Sequence, residues 1–337
     1  MTDELCCRCE PHACSASPEP VPGLTADTTK WSNNAQRARI VIYSTAQVQW
    51  FYFRVYRWFL VKPGNGMKRE FSDRDISSTF AKGMAVLRAF DDQHSRLSLA
   101  DIARVTGLDR ATVRRLTLTL VHLGYAYRDN KHFSLSPKVL TLAGSFLRGH
   151  QFGTVVQPLL NTCAARIRTP VSLAIVDSGC AMYVAQSTLQ DDDVTFGFTV
   201  GSKLPLLHTA IGRALLSLGG ASWSGQTVDT TPFDRYTPET LMNKKLIKKQ
   251  ISVSRAQGYA IVCDEFEPGV TGIAVPVNSQ GSSKVAVGTS CRSVEIPRAA
   301  DRRRIVEHLS EVAQKLTRSK IFSDNRFERY AHVGNPG

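Results

Sequence analysis

Nowhere in the 337 residues is there a glycine-rich phosphate loop, and no nucleophile, base and orienting acid stand at recognisable motif spacings. A nucleotide-binding reading therefore has no starting point, and a hydrolytic one rests on residue type alone, with His208, Cys263 or Cys291, and Asp264 as its only group. Beyond the first fourteen residues cysteine is sparse. Cys163, Cys180, Cys263 and Cys291 stand singly in apolar or strand-like surroundings, which excludes a disulfide framework and fits the reduced thiols of a cytoplasmic protein. Cys6, Cys7, Cys9, His12 and Cys14 crowd the start, yet their spacing matches none of the usual two-pair zinc arrangements, so neither metal nor cofactor is expected. An uninterrupted apolar run is missing too. Residues 40–61 approach the length of a membrane span but carry Gln47, Gln49, Arg54 and Arg57, and the early residues lack the layout of a secretory signal. Residues 1–66 show no fold-like patterning up to Thr29 and are expected to be a disordered or non-native upstream extension, with Met67 as the natural start.

Acidic residues are in short supply, 29 against 42 Lys and Arg, and the resulting formal charge of +13 fits a polyanionic partner. The length suits two domains. The first is organised around Ser98 to Leu123. Ser98 and Asp101 have the spacing that caps a helix start, Ile102 and Val105 share an apolar face with Leu99, and Gly107 is placed to stop the helix in a left-handed conformation. Asp109 caps the next helix, whose inner side is Val113, Leu116, Leu120 and Leu123. Its opening turns carry Arg110, Ala111, Thr112, Arg114 and Arg115, small and basic residues of the kind that meet base edges in a major groove. Two alternating runs, 125–128 and 132–135, then flank Asp129, Asn130 and Lys131 as a wing, with Asn130 and Lys131 available to the phosphate backbone or minor groove. A preceding helix over 80–90 presents Met84, Leu87 and Phe90 inward.

Domains are expected at 67–136 for the winged helix-turn-helix, 137–152 for a linker helix, 153–318 for the second domain, and 319–337 as a flexible tail. The linker's apolar residues cover more of its circumference than a monomer needs, which points to a dimer or an interdomain contact. Beyond it the patterns predict helices over 155–167, 209–217, 238–257 and 297–316, with strands over 171–176, 182–186, 195–200, 259–263, 273–277 and 284–290. Antiparallel hairpins with helices on one side make this an α+β layer.

The blocks FAKGMAVLRAF, LSLADIARVTGLDRATVRRLTLTLVHLGY, LPLLHTAIGRALLS and RAQGYAIVCDEFEPGVTGIAVPV, in this order, resemble the IclR family of bacterial transcriptional regulators over about 80–316. Within that family the chain is most similar to the branch controlling β-ketoadipate pathway and aromatic-acid catabolism genes. The resemblance implies a winged helix-turn-helix joined by a linker helix to a GAF-like effector-binding domain. It implies further a double-stranded DNA operator, no enzyme activity, dimers that pair again as tetramers, and a small organic-acid effector such as protocatechuate, 4-hydroxybenzoate or β-ketoadipate. Carried over by motif, the effector pocket comprises Ala210, Ile211 and Gly212, the loop from Asp264 through Glu265 to Gly272, and Ile273, Thr289 and Cys291. His208 stands where the aromatic-acid branch often has Cys. Physical reasons agree with part of this placement: the helix start at Thr209 offers free N–H groups and a positive dipole end to a carboxylate, and Thr289 and Cys291 share a strand face. Asp264 and Glu265 suit loop ordering or the acceptance of ligand hydroxyls better than direct contact with an acid. A DNA-binding protein with no effector at all is the third reading of the same basic surfaces.

Overall fold

The computed structural model describes residues 72–322 apart from 73, 92–93, 150, 189–197, 233, 279–283 and 320. The expectations for residues 1–66 and for most of the tail after 318 lie outside the described residues.

Helix α1, Ser78–Leu87, starts where the Ser77 hydroxyl accepts from the Phe80 N–H. A two-residue strand β1, Leu97–Ser98, leads into α2, Leu99–Thr106. There the predicted cap forms in both directions: Ser98 Oγ accepts from the Asp101 N–H, and the Asp101 carboxylate accepts from the Ser98 N–H, each at 3.2 Å. Gly107 at φ 69° ends the helix, and Asp109 caps α3, Arg110–His122, through the Thr112 N–H at 2.9 Å. Strands β2, Ala126–Asp129, and β3, His132–Leu135, form the wing, and the three strands run in the order β1-β3-β2. Val86, Ala89, Phe90, Ile102, Val113, Leu116 and Phe133 make the core. The expected inner stripe of α1 is corrected. The helix begins earlier and ends at Leu87, so Ala89 and Phe90 enter the core from beyond its end, while Met84 remains 40% exposed. Leu123 likewise caps α3 from outside the core.

Helix α4, Val139–Gly149, is followed by a wide turn over Phe152–Val156 and by α5, Gln157–Ile167. The second domain is a six-stranded sheet of β4 (Val171–Asp177), β5 (Cys180–Gln186), β6 (Lys203–Pro205), β7 (Ala260–Cys263), β8 (Val270–Val277) and β9 (Val285–Arg292). Its order is β6-β5-β4-β9-β8-β7, with every neighbouring pair antiparallel. Helices α6 (Ala210–Leu218), α7 (Ala221–Thr230), α8 (Lys244–Gln257) and α9 (Ala299–Arg318) complete it.

Helices cover both faces of this sheet, not one. Large side chains of the central strands (Leu173, Ile273, Val275, Val285, Val287) pack with Leu160 of α5 and Leu309 and Leu316 of α9. The alternate positions are small. Ala174, Ala260, Ala274 and Ala286 face Ile211 and Leu215 of α6 and Ile247 and Ile251 of α8. A Cβ added to Gly272 would lie 3.1 Å from the Ala210 Cβ, so the missing side chain is what lets the start of α6 rest on β8. Helix α8 begins at Lys244 rather than 238, because the Asn243 carboxamide caps Lys245 and Leu246. The expected strand over 195–200 is absent from its described part, where Phe198 and Thr199 are irregular and Val200 lies in a turn.

Candidate functional site

Two regions gather the chemistry. On α3, Arg110, Ala111, Arg114 and Arg115 are exposed and Thr112 is half-exposed. Ala111, Thr112, Arg114 and Arg115 share one open face with Leu118, Thr119 and His122, which sequence reasoning did not include. Neighbouring arginines are tied down: Arg96 pairs with Asp129 and Arg104 with Asp101. Among the described residues no such carboxylate pairs with Arg110, Arg114 or Arg115, so the helix presents its positive charge outward. Asn130, in the left-handed region at φ 54°, and Lys131 are exposed at the tip of the wing.

The second region is a cavity of about 50 Å³ on the small-residue face of the sheet. On the same measure a single water needs roughly 10–15 Å³, so the space has room for more than one water. His208, Thr209, Ala210, Ile211, Glu265, Gly272 and Thr289 line it, as expected. The rings of Tyr183, Phe198 and Phe266 supply much of the rest, with Tyr236 packed against Phe266 and His208. Tyr183 meets Phe198 edge-on at 6.5 Å, Phe198 meets Phe266 at 6.1 Å, Phe266 meets Tyr236 at 5.1 Å, and Tyr236 meets His208 at 5.4 Å. Tyr183, Phe198 and Tyr236 were not legible in advance because they come from distant segments. Phe266 and Glu267 fell inside the expected loop without being singled out.

Four expected residues stand elsewhere. Ile273 and Cys291 point into the opposite layer, and the Cys291 thiol meets the Thr271 carbonyl at 3.6 Å. Alternation along β9 was read correctly but the face was not. Thr289 borders the cavity, yet its hydroxyl donates to the Pro170 carbonyl at 2.6 Å, and Ser290 is the β9 hydroxyl residue on the small-residue face. Gly212 is buried against Leu206 and does not line the space. Asp264, at φ 59°, orders the loop: its carboxylate accepts from the Gly269 N–H at 2.6 Å.

Thr209 caps α6, accepting from the Gly212 N–H at 3.1 Å while donating to the Pro205 carbonyl at 2.7 Å. Arg213 N–H then opens the helical ladder to Thr209, so the N–H groups ahead of these belong to Ala210 and Ile211, both at the cavity. Beneath them Arg213, 2% exposed, grips Glu265 through two hydrogen bonds of 2.8 and 2.7 Å and gives its Nε–H to the Leu207 carbonyl. Burial pushes the Glu265 carboxyl up, but His208, the Arg213 charge and hydrogen bonds, and the Leu241 N–H outweigh it and hold the pKa below the ordinary value. The hydroxyls of Thr237 and Thr240 donate to the carbonyls of Asp264 and Glu265 and pin the loop from outside.

Residues 79–130 match the IclR helix-turn-helix domain, and residues 145–318 match the bacterial transcriptional regulator IclR C-terminal domain. The chain belongs to the IclR family of bacterial transcriptional regulators. Among relatives in that family, the Pca regulon regulatory protein of Pseudomonas putida is 28% identical over 258 residues, 76% of this chain and 89% of that protein. The p-hydroxybenzoate hydroxylase transcriptional activator of Acinetobacter baylyi is 30% identical over 223 residues, 65% of this chain and 82% of that one. An IclR family transcriptional regulator from Brucella abortus superposes with a TM-score of 0.63 at 26% identity, covering 77% of this chain and 99% of its own. As an IclR-family chain this is a DNA-binding, effector-binding regulator and not an enzyme. Burial pushes the Cys180 and Cys291 thiols up to about 12 and the Cys163 thiol to about 11, where thiolate is scarce. Among the described residues no helix is long and apolar enough to cross a membrane.

Proposed function

We propose that this chain is a cytoplasmic repressor or activator of aromatic-acid catabolism genes whose effector is a small aromatic acid. Residues 67–136 read a double-stranded DNA operator, 137–152 link, and 153–318 hold the effector. The observation that carries the reading is the ring-lined cavity at the start of α6, with Tyr183, Phe198 and Phe266 around it. A planar ring packs well against such faces, and a carboxylate fits the N–H groups of Ala210 and Ile211 at the positive end of the helix. A ring-free acid such as β-ketoadipate leaves the aromatic wall without a role. The kinship with a p-hydroxybenzoate hydroxylase activator supports the same class.

On the DNA side, Arg110, Ala111, Thr112, Arg114 and Arg115 enter the major groove, and Asn130 and Lys131 meet the backbone or minor groove. The exposed Leu140 and Leu142 of α4, at 67% and 54%, support self-association as a dimer or tetramer. Control then requires the effector to favour one spacing of the paired reading heads over another, because equal affinity for both shifts nothing.

Thermal shift with benzoate, 4-hydroxybenzoate, 3,4-dihydroxybenzoate and β-ketoadipate, followed by footprinting of the full chain on its upstream DNA, tests the reading. Stabilisation by an aromatic acid that also alters a protected site is the expected result. Stabilisation by β-ketoadipate alone overturns the aromatic assignment, and the lack of any protected site overturns operator binding.

A further inference from the structure

Among the described residues, several polar groups at the cavity have a partner or a structural task. Thr209 caps α6, Glu265 is held by Arg213, and His208 places its Nδ1 3.6 Å from the Glu265 carboxylate. Glu267 lines the same cavity, half-buried. Among the described residues no hydrogen-bond donor and no cation engages its carboxylate, and burial, acting without any opposing charge, raises its pKa. The Arg213 and Glu265 charges cancel, so the remaining fields in the cavity are the positive start of α6 and the negative charge of Glu267. An acid entering here has its carboxylate repelled by one and drawn to the other. The ring's remaining edge is then left for Glu267, and an acceptor partly withdrawn from water gains from a donor on that edge.

We infer that Glu267 is the specificity-determining residue of the effector site: its carboxylate accepts a hydrogen bond from a ring hydroxyl, so hydroxylated aromatic acids are taken in preference to the unsubstituted acid. The inference rests on the aromatic-acid reading above and adds to it the chemistry at the end of the ring remote from the carboxylate. Glu267 acts by binding alone and no bond is made or broken.

Calorimetric titration of the full chain with benzoate, 4-hydroxybenzoate, 3,4-dihydroxybenzoate and 4-methoxybenzoate tests it. At least one hydroxylated acid binds about tenfold or more tighter than benzoate, the range a hydrogen bond to a charged group supplies. 4-Methoxybenzoate, which cannot donate, loses that gain. In Glu267→Leu the preference falls to within about threefold, and Glu267→Gln, whose carbonyl still accepts, keeps an intermediate preference. Melting curves of the unliganded variants establish that they fold; if Glu267→Leu does not, the methyl ether and the Gln variant decide. A hydroxyl preference that survives in the variants, or 4-methoxybenzoate binding as tightly as 4-hydroxybenzoate, overturns the inference alone. Failure of every aromatic acid to bind overturns the effector reading and this inference with it.

Discussion

Arg213 and Glu265, 52 residues apart in the chain, meet in a buried two-point ion pair that joins the first turns of α6 to the loop entering β8. The pair does more than neutralise itself. It fixes the distance between the helix start and the loop, the two elements that frame the ring-lined cavity.

Arg213→Met should destabilise the protein by about 3–5 kcal/mol, towards the lower figure because His208 stays close to the abandoned carboxylate. The double variant Arg213→Met/Glu265→Leu should recover much of the loss, since two apolar side chains leave no unpaired charge. Urea denaturation of the three proteins measures both. A double variant no more stable than the single one would contradict the account.

The two carboxyls at the cavity respond to pH in opposite senses. Glu265, held below its ordinary value, contributes stability above the unfolded pKa of about 4.3 and loses it as pH falls through the lower folded value. Glu267, raised by burial, favours the folded state below that unfolded pKa and withdraws the support as pH rises through its raised folded value. Glu267→Gln should therefore melt at nearly the same temperature as the parent at about pH 4 and above it at neutral pH. A temperature difference that stays constant across this range would show that the carboxyl is not perturbed by folding.

Glycine spacing separates two costs. An added Cβ at Gly212 would fall 2.4 Å from the Leu206 carbonyl oxygen and 2.5 Å from the Leu206 Cα, and backbone cannot swing aside as a side chain can. At Gly107, φ 69°, nothing lies within 4 Å, so alanine there meets only conformational strain of about 1 kcal/mol. Gly212→Ala should cost clearly more, about 3 kcal/mol at the upper end of overpacking effects, and should reduce effector binding along with the melting temperature. Equal melting temperatures for the two variants would refute the close approach.

What the sequence made legible was local. The Ser98 and Asp101 cap, the Gly107 stop, the Asp109 cap and the turn at Asn130 each depend on residues within four of one another, and each forms. The cavity's hydroxyl face was lost for a reason built into strands. Period two in β9 puts Thr289 with Cys291 and Gly288 with Ser290, but only the helices packed on each side decide which set meets the cavity. Burial on both faces of the central strands removed the polar alternation that would have told them apart. Helix α7, rich in Ser, Thr and Gly, has no apolar stripe to reveal it, and β6 is three residues long. The pairing of Arg213 with Glu265 is a product of topology, to which spacing along the chain gives no clue.

The corrected face of β9 yields a pair of opposed outcomes. Thr289→Val removes the hydroxyl that donates to the Pro170 carbonyl and should cost about 1 kcal/mol of stability while leaving effector affinity within a factor of about two. Ser290→Val adds bulk to the small-residue face beside Gly272 and should weaken the effector about tenfold or more, with little change in the melting temperature. Titration of each variant with the acid that stabilises the parent checks this, and a reversed pattern would return the site to the opposite face.

Arg114 and Lys131 should fail in different ways on DNA. Arg114 projects from the open face of α3 with no carboxylate partner among the described residues, so a two-point contact to a guanine is within its chemistry. Arg114→Ala should then weaken operator binding by about 1–3 kcal/mol and relax discrimination at one base position. Lys131 stands on the wing, where a phosphate contact carries no sequence information. Lys131→Ala should weaken all DNA sequences alike and reduce the slope of log affinity against log salt by about one. Fluorescence anisotropy with operator and scrambled duplexes at several salt concentrations separates the two. An Arg114 variant that loses affinity equally for both duplexes would assign that arginine to the phosphates instead of the bases.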